Sequence, residues 1–282
     1  MAANLWMGVD GPHWFRVSVD NERYHVKSNA TREDFSRLFR LSSKLSEIES
    51  QIIRNGPELS PFIAQLPGLR LLRPWSATEM VFCFLCTPNN HLSRITQMVR
   101  SLSAMGNPIE EVEGLVIHEF PSVETIAAIE EHELRSRGFG YRATTIPNVA
   151  KQVIERGGSP WLDSLRTAPF ADARSSLMGL KGIGPKLADC MALFALHHTE
   201  AVPVDTHLWQ AAVRLYFPEW NGKSLTSARY DLIGEHLRGR FGELAGWAHQ
   251  YLFYDNLLNW RSRRLYSPTP RTSRMRCRSS SE

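Results

Sequence analysis

A chain of 282 residues with 43% hydrophobic positions has material for a sizeable core and more than one subdomain. Membrane-spanning and secreted readings are disfavoured. No apolar run is long enough to cross a bilayer, the N-terminus lacks a signal peptide's basic-then-apolar layout, and four scattered cysteines (Cys83, Cys86, Cys190, Cys277) suit a reducing intracellular compartment, cytoplasm, nucleoid or nucleus. The net charge of +4 belongs to the end of the chain: residues 261–282 hold seven arginines and one glutamate, +6, which leaves the other 260 residues at −2.

In chain order, "HWFRVSVDNERYHVKS" alternates apolar and polar residues around Asp20-Asn21 and predicts a β-hairpin with Phe15, Val17 and Val19 on one side. A helix is expected over Arg32–Asn55, then a loop at "NGPELSP", and from there a helical pattern that continues to the tail. Ser76 followed by Glu79 reads as a capping box opening "ATEMVFCFLC". Cys83 and Cys86 lie in that run and read as one packing face rather than a metal site, since no second pair stands nearby. Further helices are expected near 91–104, 122–130, 141–156, 171–180, from Pro185, and near 206–216, 225–240 and 244–259. The expected organisation is α+β, mainly α. A short antiparallel β region occupies residues 1–72, an all-helical body 73–260, and a Ser/Pro/Arg-rich arm 261–282. The arm is either a solvated tail or a source of salt-sensitive attraction to phosphate.

Two stretches carry candidate chemistry. "ADARSSLMGL" and "PKLADCMALFAL", joined by "KGIG", predict two helices and a tight turn, with Pro185 at the first helical position. Gly182 and Gly184 would let backbone N–H groups approach a phosphate, although an ordinary αα-turn has the same sequence. Lys186 then stands in the first turn of a greasy helix, where the dipole disfavours a cation. Burial there favours a neutral amine, the form that attacks carbon and makes a Schiff base. Nineteen residues on, Asp205 in "AVPVDTHLW" is placed to cap the next helix. It is also placed to stabilise positive charge on a sugar ring. A lysine nucleophile beside a carboxylate suits cleavage of an N-glycosidic bond.

With these residues the chain resembles the helix-hairpin-helix DNA glycosylase superfamily, and within it the 8-oxoguanine DNA glycosylases, from about Leu69 to Leu257. "TPNNHLSRITQMV" is similar to the segment facing the orphaned base. The resemblance makes Asn89 the residue that fills the vacated stack and Arg94 a reader of the opposite cytosine. "GFGYRA" supplies the wedge Tyr141 and a second cytosine reader, Arg142. "KGIGPKLADC" supplies the nucleophile Lys186 and Cys190 on the lesion's face; "PVDTHLW" supplies catalytic Asp205 and phosphate-contacting His207; "LAGWAHQYLF" supplies Phe253, which stacks on the flipped base. The resemblance implies a bifunctional glycosylase and abasic-site lyase, acting as a monomer on duplex DNA that contains an oxidised purine. It implies no metal or other cofactor for chemistry, with a structural monovalent cation at the hairpin carbonyls as an option. Departures stand at two places. The family's glutamine is His249 here, with Gln250 displaced by one, and the family's Gly-Gln-x-Phe-Arg-Trp-like strand has only Trp6 as a match in "MAANLWMGVDG". His249 is therefore expected to read the base edge, with a pH dependence near imidazole's titration, unless a helix shift brings Gln250 inward. The alternatives are a glycosylase for another oxidised or alkylated purine, or a DNA-binding module without catalysis. An iron–sulfur endonuclease is disfavoured, because after Cys190 the chain has only Cys277.

Overall fold

The predicted N-terminal hairpin is part of a three-stranded antiparallel sheet in the computed structural model, which describes residues 5–20 and 23–266. Strands β1 (Leu5–Asp10), β2 (His13–Asp20) and β3 (Arg23–Ser28) lie in that order, with Gly11 at φ +60° in the β1–β2 turn. The expected apolar side of β2 is dry at one end: Phe15 is fully buried near Phe35, whereas Val19 is exposed. The opposite face is covered too. Trp14 packs with Val112 and Ile117 of a second hairpin, and its Nε1 donates to Glu110 at 2.7 Å.

That second hairpin, β4 (Pro108–Val112) and β5 (Leu115–His118), interrupts what the sequence presents as continuous helix. Its turn places Glu113 and Gly114 at φ +54° and +79°. The helix expected over Arg32–Asn55 is two helices, α1 (Arg32–Leu38) and α2 (Leu45–Asn55). Thr31 and Asp34 form a capping box at the start of α1. The break follows from a tertiary clamp: Arg70 Nη1 donates to the carbonyls of Arg40 (2.6 Å) and Ser43 (3.2 Å), with Arg40 at φ +50°. The loop expected at "NGPELSP" winds into a 3-10 turn and then α3 (Ser60–Gln65), each opened by a proline.

The helical body contains α4 (Ala77–Leu85), α5 (Leu92–Ser103), α6 (Val123–Ala128), α7 (Glu131–Ser136), α8 (Arg142–Glu155) and α9 (Gly158–Ser164). It continues with α10 (Phe170–Met178), α11 (Pro185–Phe194), α12 (Thr206–Leu215), α13 (Ser227–Phe241) and α14 (Ala245–Tyr266). Of these, α7 and α9 were not among the expected helices. The Ser76–Glu79 capping box is half made: Ser76 accepts from the Glu79 N–H, but the Glu79 carboxylate accepts from Gly11 N at 3.1 Å and so ties the helix to the sheet. The last helix runs past residue 260, into the segment read as tail; the rest of that arm, Cys277 included, lies outside the described residues. No helix among the described residues is long and apolar enough to cross a membrane.

The main core surrounds α11, in which every residue from Leu187 to Leu193 is buried. Helix α14 docks so closely that a Cβ at Gly246 would meet Leu193 Cδ1 at 2.4 Å and the Thr199 carbonyl at 2.6 Å. Only glycine permits this approach. It sets the path of the extended segment that leads to Asp205.

Candidate active site

Helices α10 and α11 form the expected hairpin. Gly182 sits at φ +111°, where a side chain would be strained and its Cβ would meet Thr145 at 2.9 Å. Gly184 is the N-cap of α11 in extended conformation, and nothing lies within 4 Å of where its Cβ would stand. The turn is steadied by the Lys181 N–H, which donates to Gln152 at 2.8 Å. Its open side adjoins the first turn of α11, which carries Lys186.

Lys186 is half-buried and Cys190, one turn along, is buried. The two are hydrogen-bonded, and Asp205 lies close enough for its charge to act on the thiol. Burial pushes the Cys190 thiol up to about 11 against the pull of Lys186, so it presents a neutral S–H rather than a competing thiolate.

Asp205 caps α12: Oδ1 accepts from Leu208 N at 2.9 Å. The segment before it, Ala201–Val204, is buried, and the chain from Thr199 to Val204 is pinned at three points. Thr199 O accepts from Gly246 N at 2.7 Å, Pro203 O from His249 Nε2 at 2.9 Å, and Tyr230 Oη from Val204 N at 3.4 Å. Tyr230 in turn donates to Asp189 Oδ2 at 2.5 Å, and Arg174 Nε donates to Asp189 Oδ1 at 2.7 Å. This Arg174–Asp189–Tyr230 chain, which sequence reasoning missed, links the lysine's helix to the aspartate's approach strand. The signal was a carboxylate, Asp189, inside an otherwise apolar run.

The His249 expectation is corrected here. His249 is buried, its Nε2–H donates to Pro203, and its Nδ1 accepts from Gln250 Nε2 at 3.0 Å. Both ring nitrogens are therefore spent inside the protein, and neither offers an edge to a base. Burial lowers its pKa to about 4, outweighing the nearby Asp205 and moving it away from the titration expected near pH 6.5. Gln250 is likewise buried, donating to His249.

Phe253 is half-buried, which separates it from plain core. Its ring lies 6.1 Å from His249 at 15°, nearly parallel, and 5.6 Å from His207 edge-on. His207 Nδ1 accepts from Asn256 Nδ2 at 3.2 Å. Lys186, Cys190, Asp205, His207, His249, Gln250 and Phe253 thus gather from α11, α12 and α14 into one locality.

The other four predicted site residues form a second group. Asn89 has φ +49°, in the loop before α5; His91, rather than either asparagine, caps that helix. Arg94 is exposed and donates to Gly138 O at 2.8 Å. Tyr141 is 54% exposed, enough for a wedge, and its ring carries the Arg142 guanidinium at 4.6 Å. Arg142 itself is buried and hydrogen-bonded to the Pro88 carbonyl, so it shapes the Asn89 loop rather than projecting from it. Cys83 and Cys86 are in the core with free thiols, and among the described residues no His, Cys, Asp or Glu cluster suits a metal ion.

This arrangement defines a class, a helix-hairpin-helix protein with a lysine and a carboxylate at adjoining helix starts. Residues 84–234 match the HhH-GPD superfamily of base excision DNA repair proteins. An N-glycosylase/DNA lyase of Arabidopsis thaliana, OGG1, is 35% identical over 262 residues, covering 89% of this chain and 72% of its own. The N-glycosylase/DNA lyase of Saccharomyces cerevisiae is 32% identical, covering 80% of this chain and 66% of its own. Among solved structures, Clostridium acetobutylicum 8-oxoguanine glycosylase/lyase, in complex with double-stranded DNA containing cytosine opposite 8-oxoguanine, superposes with TM-score 0.79 at 25% identity, over 90% of this chain and 85% of its own. The chain belongs to the HhH-GPD superfamily of base excision DNA repair proteins and, within it, to the 8-oxoguanine DNA glycosylase/AP lyase family.

Proposed function

We propose that this protein excises 8-oxoguanine paired with cytosine from duplex DNA and then nicks the strand, working as a monomer in the reducing compartment that holds the DNA. The observation that carries the reading is the convergence of Lys186, Cys190 and Asp205 beside an open glycine turn. The hairpin N–H groups and His207 hold phosphates while the lesion leaves the stack. Phe253 offers the flipped base a flat face and Cys190 a neutral thiol. The Lys186 amine bonds to C1′ as the bond from C1′ to the base breaks, and the base leaves with the electron pair and takes up a proton. Loss of a proton from the bonded amine frees its lone pair to form the C1′=N bond of an imine as the C1′–O4′ bond breaks, and O4′ takes up a proton. Removal of a C2′ proton then expels the 3′ phosphate by β-elimination. Asp205 stabilises the positive charge that develops on the ring. Asn89 and Tyr141 occupy the gap in the duplex, and Arg94 favours cytosine opposite it, while Arg142 holds the Asn89 loop in place from below. A monovalent cation on the hairpin is part of this reading, because the Lys181 and Gly182 carbonyls accept no hydrogen bond among the described residues.

The test is a panel of single-lesion duplexes read for base release and nicking, with borohydride added to trap the imine. A covalent adduct with the 8-oxoguanine·cytosine duplex is expected, and Lys186→Gln should abolish it. Undiminished trapping in that variant would refute the assignment.

A further inference from the structure

A cleft of about 1050 Å³ lies away from Lys186. It reaches Leu196 and His197, beyond the other end of α11, with roughly 12 Å of helix between Lys186 and Phe194. Arg37 and Arg73 line both this cleft and an adjoining pocket of about 360 Å³, which is completed by Arg32, Arg40, Ser42 and Ser43, with Glu33 as its acid.

Five arginines crowd this region, and among the described residues only two of them have carboxylates. Arg37 pairs with Asp10 at 2.9 Å and Arg166 with Asp163 at 3.1 Å. Arg40 and Arg73 pair with no carboxylate among the described residues. The Nε and Nη2 of Arg40 are buried without any hydrogen-bond partner, which costs free energy that a folded chain rarely leaves uncompensated. Burial and the neighbouring Arg73 together lower its pKa to about 10, and His197 is pushed down by burial and by Arg166, Arg40 and Arg73. The Arg40 backbone is itself held at positive φ by the Arg70 clamp, so the guanidinium is presented at a cost rather than by default.

We propose that the pocket between Arg40 and Arg73 is an anion site for a phosphate-bearing small molecule, separate from the DNA-binding face. Two guanidinium groups provide planar donors matched to phosphate oxygens, and Ser42 and Ser43 supply hydroxyls. Neither arginine has a part in the glycosylase reaction.

The experiment uses inorganic phosphate against chloride at matched ionic strength, with the full chain, read by thermal unfolding. Phosphate about tenfold above its Kd is expected to raise Tm by roughly 2–3 °C. Arg40→Asn and Arg73→Gln should each abolish that increment while leaving 8-oxoguanine excision unchanged. In chloride, Arg40→Asn should be as stable as the parent or more so, since an unpaired cation is removed and asparagine tolerates positive φ. Arg73→Gln, at an exposed position, keeps the test decisive should Arg40→Asn not fold. The increment should persist with a short abasic duplex bound in the catalytic site. If the duplex removes it, the phosphates come from the DNA backbone and the small-molecule assignment is overturned. If phosphate and chloride act alike, or either variant keeps the increment, there is no anion site.

Discussion

Replacing His249 separates a base reader from a strut. In the structure its Nε2–H holds the Pro203 carbonyl at 2.9 Å, two residues before Asp205. His249→Ala leaves that buried carbonyl without its donor, at about 1–3 kcal/mol, and opens a cavity worth a further kilocalorie or so. A destabilisation of about 2–4 kcal/mol is expected, with slower excision because the Asp205 turn loosens. His249→Gln can donate to Pro203 and accept from Gln250, so its cost should stay within about 1 kcal/mol. The ring's pKa, about 4 against 6.5 in the open chain, means the unfolded state binds more protons between those values. Stability from this group is therefore complete above pH 6.5 and lost as pH falls towards 4, by up to about 3 kcal/mol. His249→Gln should flatten that part of the acid limb, while His197, pushed to about 3, keeps its own share. Urea unfolding from pH 4 to 8, with single-turnover excision on the same samples, provides the measurement. The reasoning fails if His249→Ala is as stable as the parent. It also fails if His249→Gln removes a step in excision near pH 6.5, which would mean the ring titrates in the open site.

The sheet's anchor gives the opposite pH slope. Burial raises Glu79 to about 7, so its folded form holds a proton that the unfolded form has lost, and stability falls as pH rises from about 4.5 to 7. Glu79→Gln keeps an acceptor for Gly11 N and should gain about 2 kcal/mol at pH 8 with little change at pH 4.5; equal gains at both would remove the titration from the account. Arg94→Gln should narrow the preference for cytosine opposite the lesion by roughly tenfold or more, read as excision rates opposite cytosine and adenine. Equal losses opposite every base would leave Arg94 only its tie to Gly138.

What the sequence made legible was local. The glycine turn, Pro185 and the Asp205 cap follow from dihedral preference and orphaned N–H groups, and each stands where the pattern placed it. The Lys186–Cys190 spacing predicted a shared face, and the two side chains touch. Misses came where distant residues decide. The Glu113-Gly114 turn lacks the Asn-Gly or Asp-Gly signature of a tight hairpin, so β4 and β5 read as helix. The break between α1 and α2 depends on Arg70, far along the chain. His249 stacks near Phe253 as the spacing predicted, but Pro203, 46 residues earlier, takes the ring nitrogen that the base-reading expectation needs. Nothing in a helix's own periodicity reports such a claim.

Asp205 carries two readings that a pair of substitutions can pull apart. As an N-cap it needs only a side-chain oxygen, and asparagine caps as well as aspartate. As a catalyst it needs charge: Oδ1 is engaged with Leu208 N, and the carboxylate as a whole acts electrostatically on Cys190 and His249. Asp205→Asn should therefore change stability by no more than about 0.5 kcal/mol and leave binding to an abasic duplex measurable. Its excision rate should fall by about 10²–10³, the usual worth of one preorganised electrostatic contact to the transition state. Asp205→Ala should show the same loss of rate and an added cost of about 1 kcal/mol in unfolding, the price of the cap. Stability and catalysis are then read on different variants of one side chain. Normal excision by Asp205→Asn would reduce Asp205 to a helix cap. A collapse of both rate and stability in Asp205→Asn would instead mean that its charge holds the Pro203–Val204 strand in place, and that the catalytic role belongs to another group.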